Sequence, residues 1–258
     1  MNDTVASIAT RLWNAEVNGE PIGPVSAEFE NDLAVAYEIQ DALTKRGLEG
    51  GRRLIGRKIG LTSLAVQRQL GVDQPDYGAL FADMEVVCGD TCQVSRLIQP
   101  RVEAELALVL KRALPAPDTT MAELVSAVDY VVPALEIVDS RIENWKIAIG
   151  DTIADNGSSA RFVLGLEPRS LKHLDLETCG MVMNRNGETV SIGSGAACLG
   201  NPLKAALWLA RTMAEAENPL SAGNVVLTGA LGPMCDVASA TRFEARIGGF
   251  PPVSVQFE

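Results

Sequence analysis

The sequence has one histidine in 258 residues, His173. With that residue read as a surface one and no other histidine available, a Ser-His-Asp triad and a His-ligated zinc site are both disfavoured. His173 lies in Ser170-Leu171-Lys172-His173-Leu174-Asp175, an ordinary loop or helix start, and is read as a surface residue. Basic charge is also scarce: 22 Lys and Arg against 33 Asp and Glu leave a formal net charge of −11. A surface of that sign disfavours nucleic acid and anionic membrane as partners. No apolar run approaches the roughly 18 residues of a membrane span. Met1-Asn2-Asp3-Thr4 shows no basic-then-apolar signal pattern, so a cytoplasmic protein is expected. The five cysteines (Cys88, Cys92, Cys179, Cys198, Cys235) include one close pair, and no second pair completes a zinc site. They read as reduced, mostly buried thiols. There is no dinucleotide-binding or phosphate-binding glycine motif, no internal repeat and no low-complexity tract.

What is present is enough apolar material for a sizeable core, with 47% hydrophobic and 21% charged residues. Residues 101–110 alternate as a strand does. Val102, Ala104, Leu106, Leu108 and Leu110 share one face; Arg101, Glu103 and Glu105 share the other. Two carboxylates two positions apart repel unless a cation sits between them. Oxygen-only ligands suit a hard divalent ion such as Mg2+ or Mn2+. A half-exposed strand with a polar outer face is the alternative. The run Tyr130–Asp139 is nearly all apolar, as in a strand buried on both faces. Glu136 interrupts it, and a buried carboxylate is costly unless paired or metal-bound.

Around these strands, residues 4–18 and 31–47 read as amphipathic helices, with Gly47 as a stop. Residues 1–50 are expected to form a helical N-terminal layer packed on a main body of residues 51–258. Gly51–Gly60 reads as a strand on which Leu54, Gly56, Lys58 and Gly60 share a face, giving the Lys58 ammonium room; a snorkelling surface lysine is the alternative. Arg57 faces the other way and is expected in a structural ion pair. Thr62 or Ser63 caps a short helix through Leu70. Gln74-Pro75-Asp76-Tyr77-Gly78 is a turn that Asp76 could cap. A helix runs from Thr119 or Thr120 to about Val128. Residues 151–159 are polar and turn-prone, a loop of the kind that lines sites. Strand 160–164, a hairpin of 181–184 and 189–192 around Asn186-Gly187, helix 202–215 and strands 225–229, 243–247 and 253–257 complete the reading. Strands are many, helices few, and no βαβ alternation appears.

Several separated motifs resemble one family. They are Gly56-Arg57-Lys58-Ile59-Gly60-Leu61-Thr62-Ser63, Gln69-Leu70-Gly71-Val72-Asp73-Gln74-Pro75-Asp76-Tyr77-Gly78, Leu80-Phe81-Ala82-Asp83-Met84, Gln99-Pro100-Arg101-Val102-Glu103-Ala104-Glu105, Pro133-Ala134-Leu135-Glu136-Ile137-Val138, Asp151-Thr152-Ile153-Ala154-Asp155-Asn156 and Leu227-Thr228-Gly229-Ala230-Leu231-Gly232-Pro233-Met234. In that order, over nearly the whole chain, they resemble the 2-keto-4-pentenoate hydratases of the fumarylacetoacetate hydrolase superfamily. The resemblance implies an α+β fold, a mixed β-sandwich or roll like the fumarylacetoacetate hydrolase C-terminal domain, with a small helical N-terminal layer. It implies that Glu103, Glu105 and Glu136 hold Mg2+ or Mn2+, that Lys58 and Asp76 line the site, and that Ser158 lies beside it. Gly157 departs from the alanine common in relatives, a change expected to matter little.

The implied reaction adds water to 2-hydroxypenta-2,4-dienoate in aromatic-compound catabolism. An isolated alkene gives water no charge sink. Ketonisation conjugates a C2 carbonyl to the C3–C4 double bond, so that attack at C4 sends negative charge to the 2-oxygen, where a metal stabilises it. Three carboxylates exceed a dication's charge, so an anionic substrate needs Lys58 as well. Asp76, a metal-bound water and Lys58 are the candidate proton carriers. Ser158 either binds a substrate oxygen or caps a turn. The alternatives are a 4-oxalocrotonate decarboxylase, a hydratase of a longer dienoate, and a non-catalytic scaffold partner. The family likeness also implies a homo-oligomer and pairing with a homologous decarboxylase.

Overall fold

The computed structural model describes residues 3–64, 67–68 and 72–258. The helix expected to reach Leu70, and Gln69-Leu70-Gly71 of the motif above, lie wholly or partly outside these residues.

Helix α1 (Asp3–Asn18) buries Val5, Ile8, Ala9, Leu12 and Ala15, spaced by three and four along one face. Helix α2 (Leu33–Glu49) starts at Asp32, whose side chain accepts from the Ala34 N–H at 2.8 Å. It runs through Gly47 rather than stopping there. Gly47 is buried, and a Cβ on it would lie 3.1 Å from Phe81 Cζ. The glycine is therefore a packing residue inside the helix. Both helices pack with Ile142, Ile149 and Ile153 in one apolar cluster. The Gln40 amide ties α2 to the body, donating to Tyr77 O at 2.8 Å and Ile153 O at 2.9 Å.

Two sheets form that body. The larger contains β1 (Leu54–Gly60), β2 (Asp76–Phe81), β4 (Pro100–Leu110), β5 (Val128–Asp139), β6 (Ser159–Leu164) and β9 (Val225–Leu227), in the order β2-β1-β9-β4-β5-β6, with β10 (Cys235–Asp236) paired to β4. The smaller runs β3 (Thr91–Cys92), β12 (Val253–Phe257), β11 (Thr241–Ile247), β7 (Gly180–Arg185), β8 (Glu188–Ser194). Asn186 and Gly187 take positive φ, 52° and 87°, at the expected β7–β8 hairpin. Val102, Ala104, Leu106, Leu108 and Leu110 face a core that includes Phe243, Phe257 and Met181 of the smaller sheet and Leu209 of helix α5 (Pro202–Glu215). Helix α3 (Met121–Ala127) begins at the Thr120 cap. No helix of the described residues is long and apolar enough to cross a membrane.

Three expectations need correction. The 74–78 turn gives way at Asp76 to strand β2, antiparallel to β1 with Asp76 opposite Gly60. Every β2 residue is buried, so no alternation marks it in the sequence. The loop expected at 151–159 is mostly helical: α4 (Ile149–Ala154), then the tight turn Asn156–Ser158. Asp151 nucleates the helix by accepting from the Ala148 N–H at 2.9 Å. Arg57 makes no ion pair among the described residues; it is buried beside Tyr77 and Asp41, with Nη1 lacking a hydrogen bond.

Candidate metal centre and active site

The site begins with a split in the larger sheet. Strand β9 is three residues long and lies between β1 and β4. Its Leu227 pairs with Lys58 on one side and Ala107 on the other. Beyond Leu227 the chain follows β4, with Thr228 N–H on Leu106 O at 3.0 Å and Leu231 N–H on Ala104 O at 2.9 Å. Ile59 and Gly60, beyond the Lys58–Leu227 pair, thereby have no strand neighbour on that side, where Glu103 and Glu105 of β4 act on the Lys58 charge.

Register completes the cluster. Glu103 of β4 pairs with Glu136 of β5, and Glu105 with Ala134. One oxygen from each of Glu103, Glu105 and Glu136 lies within 4.8 Å of the others. Glu105 and Glu136 have no exposed surface and Glu103 only 8%. Glu105 accepts one hydrogen bond, from the Gly229 N–H at 2.8 Å. Its other oxygen and both oxygens of Glu136 accept none. The Lys58 ammonium is 3.6 Å from Glu136, an ion pair rather than a tight hydrogen bond. Asp76 is fully buried with both oxygens unpartnered. Its room comes from Gly60, where a Cβ would lie 2.0 Å from Asp76 Oδ1. Arg101 stays at the rim, paired with Asp236 at 2.8 Å and stacked on Trp145.

Four buried carboxylates facing one ammonium make an electrostatic deficit. Burial pushes Glu103 up to about 8, with Glu136 adding repulsion. Burial and then Glu136 and Glu103 raise Glu105 well above the carboxylate range. Burial raises Glu136 and Asp76 too, with Lys58 opposing it in both. For Lys58 burial acts downward, but Glu136, Asp76, Glu103 and Glu105 together outweigh it and raise its pKa. Lys58 therefore stays an ammonium at neutral pH. A buried carboxylate without partners costs several kcal/mol of lost solvation, on the order of the whole margin of a fold. Three converging carboxylates, two of them with orphaned oxygens and none accompanied by a nitrogen or sulfur ligand, fit a hard divalent cation.

The far wall is the turn after α4. Asn156, Gly157 and Ser158 have φ of 55°, 59° and 54°, three successive left-handed residues. For Asn156 and Ser158 this conformation costs on the order of 1 kcal/mol each, so other contacts must hold it. Asn156 supplies one clamp, accepting from Ala79 N–H at 2.7 Å and donating to Ala79 O at 3.1 Å. Asp155 supplies another. It forms a fully buried ion pair with Arg141 and accepts from Arg141 N–H at 3.0 Å and Ser158 Oγ at 3.2 Å. The Ser158 hydroxyl is thus engaged inside the turn. At Gly157 a Cβ would lie 2.4 Å from Cε of Lys58, so an alanine there would make the end of the lysine side chain shift. The sequence reading passed over Arg141 and the Asp155 anchor; the dipeptide Asn156-Gly157, which favours positive φ, was the available signal.

A family model described as fumarylacetoacetate (FAA) hydrolase C-terminal matches residues 64–258. The chain belongs to the fumarylacetoacetate hydrolase family. It is 54% identical over 250 residues to 2-keto-4-pentenoate hydratase 1 of Dechloromonas aromatica, covering 96% of this chain and 95% of that one. It is 51% identical over 257 residues to the 2-keto-4-pentenoate hydratase of Burkholderia vietnamiensis, covering 99% and 98%. Among solved structures, 4-oxalocrotonate decarboxylase from Pseudomonas putida G7, complexed with magnesium and adipate, superposes with a TM-score of 0.96 at 38% identity, covering 100% and 98%. Fumarylpyruvate hydrolase from Pseudomonas aeruginosa, with Mn2+ and pyruvate, shares the fold at a TM-score of 0.63 and 15% identity, covering 79% and 88%. The α+β two-sheet architecture is that of the family.

Proposed function

We propose that this family member is a metal-dependent hydratase that converts 2-hydroxypenta-2,4-dienoate to 4-hydroxy-2-oxopentanoate in the breakdown of aromatic compounds. The observation that carries it is the cluster of Glu103, Glu105 and Glu136 facing Lys58, in a chain 54% identical to a 2-keto-4-pentenoate hydratase. The 38% identity to 4-oxalocrotonate decarboxylase is lower, which favours the hydratase over a shared site architecture alone.

Glu103, Glu105 and Glu136 would hold Mg2+ or Mn2+, the ions named with the decarboxylase and the fumarylpyruvate hydrolase. When bound, that ion supplies Lewis acidity to the 2-oxygen of an α-keto acid. Lys58, kept positive by its four acidic neighbours, balances the anionic head of the substrate and the charge gathering on its 2-oxygen. Asp76 is the proton carrier. Burial raises its pKa while Lys58 opposes the shift, and its oxygens have no hydrogen-bond partner among the described residues. Protonation at C5 gives the conjugated ketone, water adds at C4, and a proton returned to C3 completes the product. Burial of the whole cluster excludes bulk water, so each charge acts in a low dielectric. Assembly as a homo-oligomer is part of the same proposal and rests on the family resemblance.

The test is turnover with two substrates under metal control. Loss of the dienol absorbance in the presence of Mg2+, abolished by chelation and restored by adding the ion back, is expected. Carbon dioxide release from 2-oxohex-3-enedioate at a comparable rate would make the chain a decarboxylase. Dienol hydration unchanged by chelation would end the metal reading.

A further inference from the structure

We propose that the left-handed turn Asn156–Ser158 is a positioning element for Lys58, and that Arg141, Asp155 and Asn156 act on the reaction through it. The inference rests on the reading of Lys58 as the cation facing the substrate.

The lysine stem runs through a slot with glycine on two sides. A Cβ at Gly157 would lie 2.4 Å from Lys58 Cε and 3.1 Å from its Nζ, and one at Gly60 would lie 3.3 Å from the same Nζ. No other heavy atom comes closer to a Cβ at Gly157 than these lysine atoms. The wall therefore meets the lysine first. Its position is set from two directions. On one side Asn156 grips both polar backbone groups of Ala79, and its own carbonyl lies against Gly78, where a Cβ would be 2.3 Å away. Gly78 is the residue that pairs with Lys58 across β1 and β2. On the other side Arg141 binds Asp155 and also donates to Asp139 O at 2.8 Å and Ser159 O at 3.1 Å. Asp139 ends β5, the strand that carries Glu136. One buried frame thus fixes both the wall behind the ammonium and the strand bearing its partner carboxylate. An unclamped turn would relax towards ordinary backbone angles and leave the ammonium free to follow Glu136.

Two variants probe the wall without touching a proposed ligand: Gly157→Ala, which adds a methyl where the stem lies, and Asn156→Ala, which removes the clamp on β2. Oxalate, a mimic of the α-keto acid head, is titrated calorimetrically into the Mg2+-loaded protein, and Mg2+ alone into the metal-free protein. Each variant is expected to weaken oxalate binding and lower kcat/KM by roughly tenfold to a hundredfold, the scale of an ångström-sized misplacement. Mg2+ affinity should stay within about threefold, and Asn156→Asp, which keeps the acceptor for the Ala79 N–H, should recover part of the loss. Placed on Lys58→Ala, neither change should weaken oxalate further, because the group they act on is gone. Losses that multiply in that background, or full oxalate affinity in Gly157→Ala, would overturn the inference. Should Asn156→Ala fail to fold, Gly157→Ala decides: Gly157 sits at φ 59°, so the added methyl also strains the turn, and a melting temperature within a few degrees of wild type shows that the loss comes from the displaced lysine and not from a lost fold. Undiminished oxalate binding in Lys58→Ala itself would instead remove Lys58 from the site, a failure of the functional reading and not of the turn.

Discussion

The two faces of β4 are equally buried and chemically opposite. On one, Val102, Ala104, Leu106, Leu108 and Leu110 pack into the core between the sheets. On the other, Glu103 and Glu105 sit with hardly any exposed surface beside Glu136, with one oxygen of Glu105 and both of Glu136 unpartnered. Burial does not separate core from site here. What separates them is whether each buried group finds what it needs. The apolar face is satisfied by its neighbours, whereas the acidic face awaits a cation. Stability should therefore reside on one face and activity on the other.

The sharpest way to break that division is Glu105→Gln. Turnover should fall on the order of a thousandfold, about 4 kcal/mol of barrier, while the metal-free protein unfolds at the same temperature or higher, since a buried repulsion is relieved. A large drop in melting temperature with activity retained would invert the two roles. Leu106→Ala should do the converse. It removes a fully buried side chain at a cost of about 2–5 kcal/mol in denaturant unfolding, with Mg2+ affinity of the folded fraction unchanged.

Asp155→Ala tests a third kind of buried group, a charge that already has its partner. It strands the Arg141 guanidinium, and a loss of about 3–5 kcal/mol is expected in the same unfolding assay. A neutral result would mean the pair is replaceable by packing.

Acidity gives a subtler contrast. In metal-free protein the folded state keeps Glu103 protonated up to about 8, whereas its ordinary value is 4.5. Between those values the folded state binds more protons than the unfolded one, so stability should fall as pH rises through that window. Metal binding requires the ionised carboxylates. The rise in melting temperature on adding Mg2+ should thus be larger at pH 8 than at pH 6. An equal rise at both would mean the carboxylates are already ionised without it.

The smallest effect concerns Cys198. It is wholly buried, its thiol pushed up to about 12 by burial and then by Glu105. A maleimide should label half-buried Cys88 and Cys235 first and spare Cys198 until the protein unfolds.

How much of this could be read beforehand depended on whether a residue broke a local pattern. Glu136 stood out as one carboxylate in an apolar run, Glu103 and Glu105 as a pair on an alternating strand, and Lys58 as a cation between glycines. Strand β2 broke none. It is buried on both faces and opens with Pro75-Asp76-Tyr77-Gly78, residues that signal a turn, so Asp76 read as a cap rather than a buried acid. The turn at Asn156–Ser158 was illegible for another reason. Asn156-Gly157 favours positive φ locally, but a third left-handed residue, Ser158, does not follow from local propensity, and the contacts that hold the turn come from Arg141 and Ala79, distant in sequence. Gly157 looks inconsequential in sequence because the side chain nearest to it among the described residues, the Lys58 stem, is brought there by tertiary structure.

The most direct test of a shared cation held by acidic side chains from two strands is a Mn2+ titration followed by electron paramagnetic resonance. One tightly bound ion per chain is expected in the wild type, with the bound signal lost in both Glu103→Gln and Glu136→Gln. Binding of one Mn2+ with unchanged affinity in either variant would contradict it.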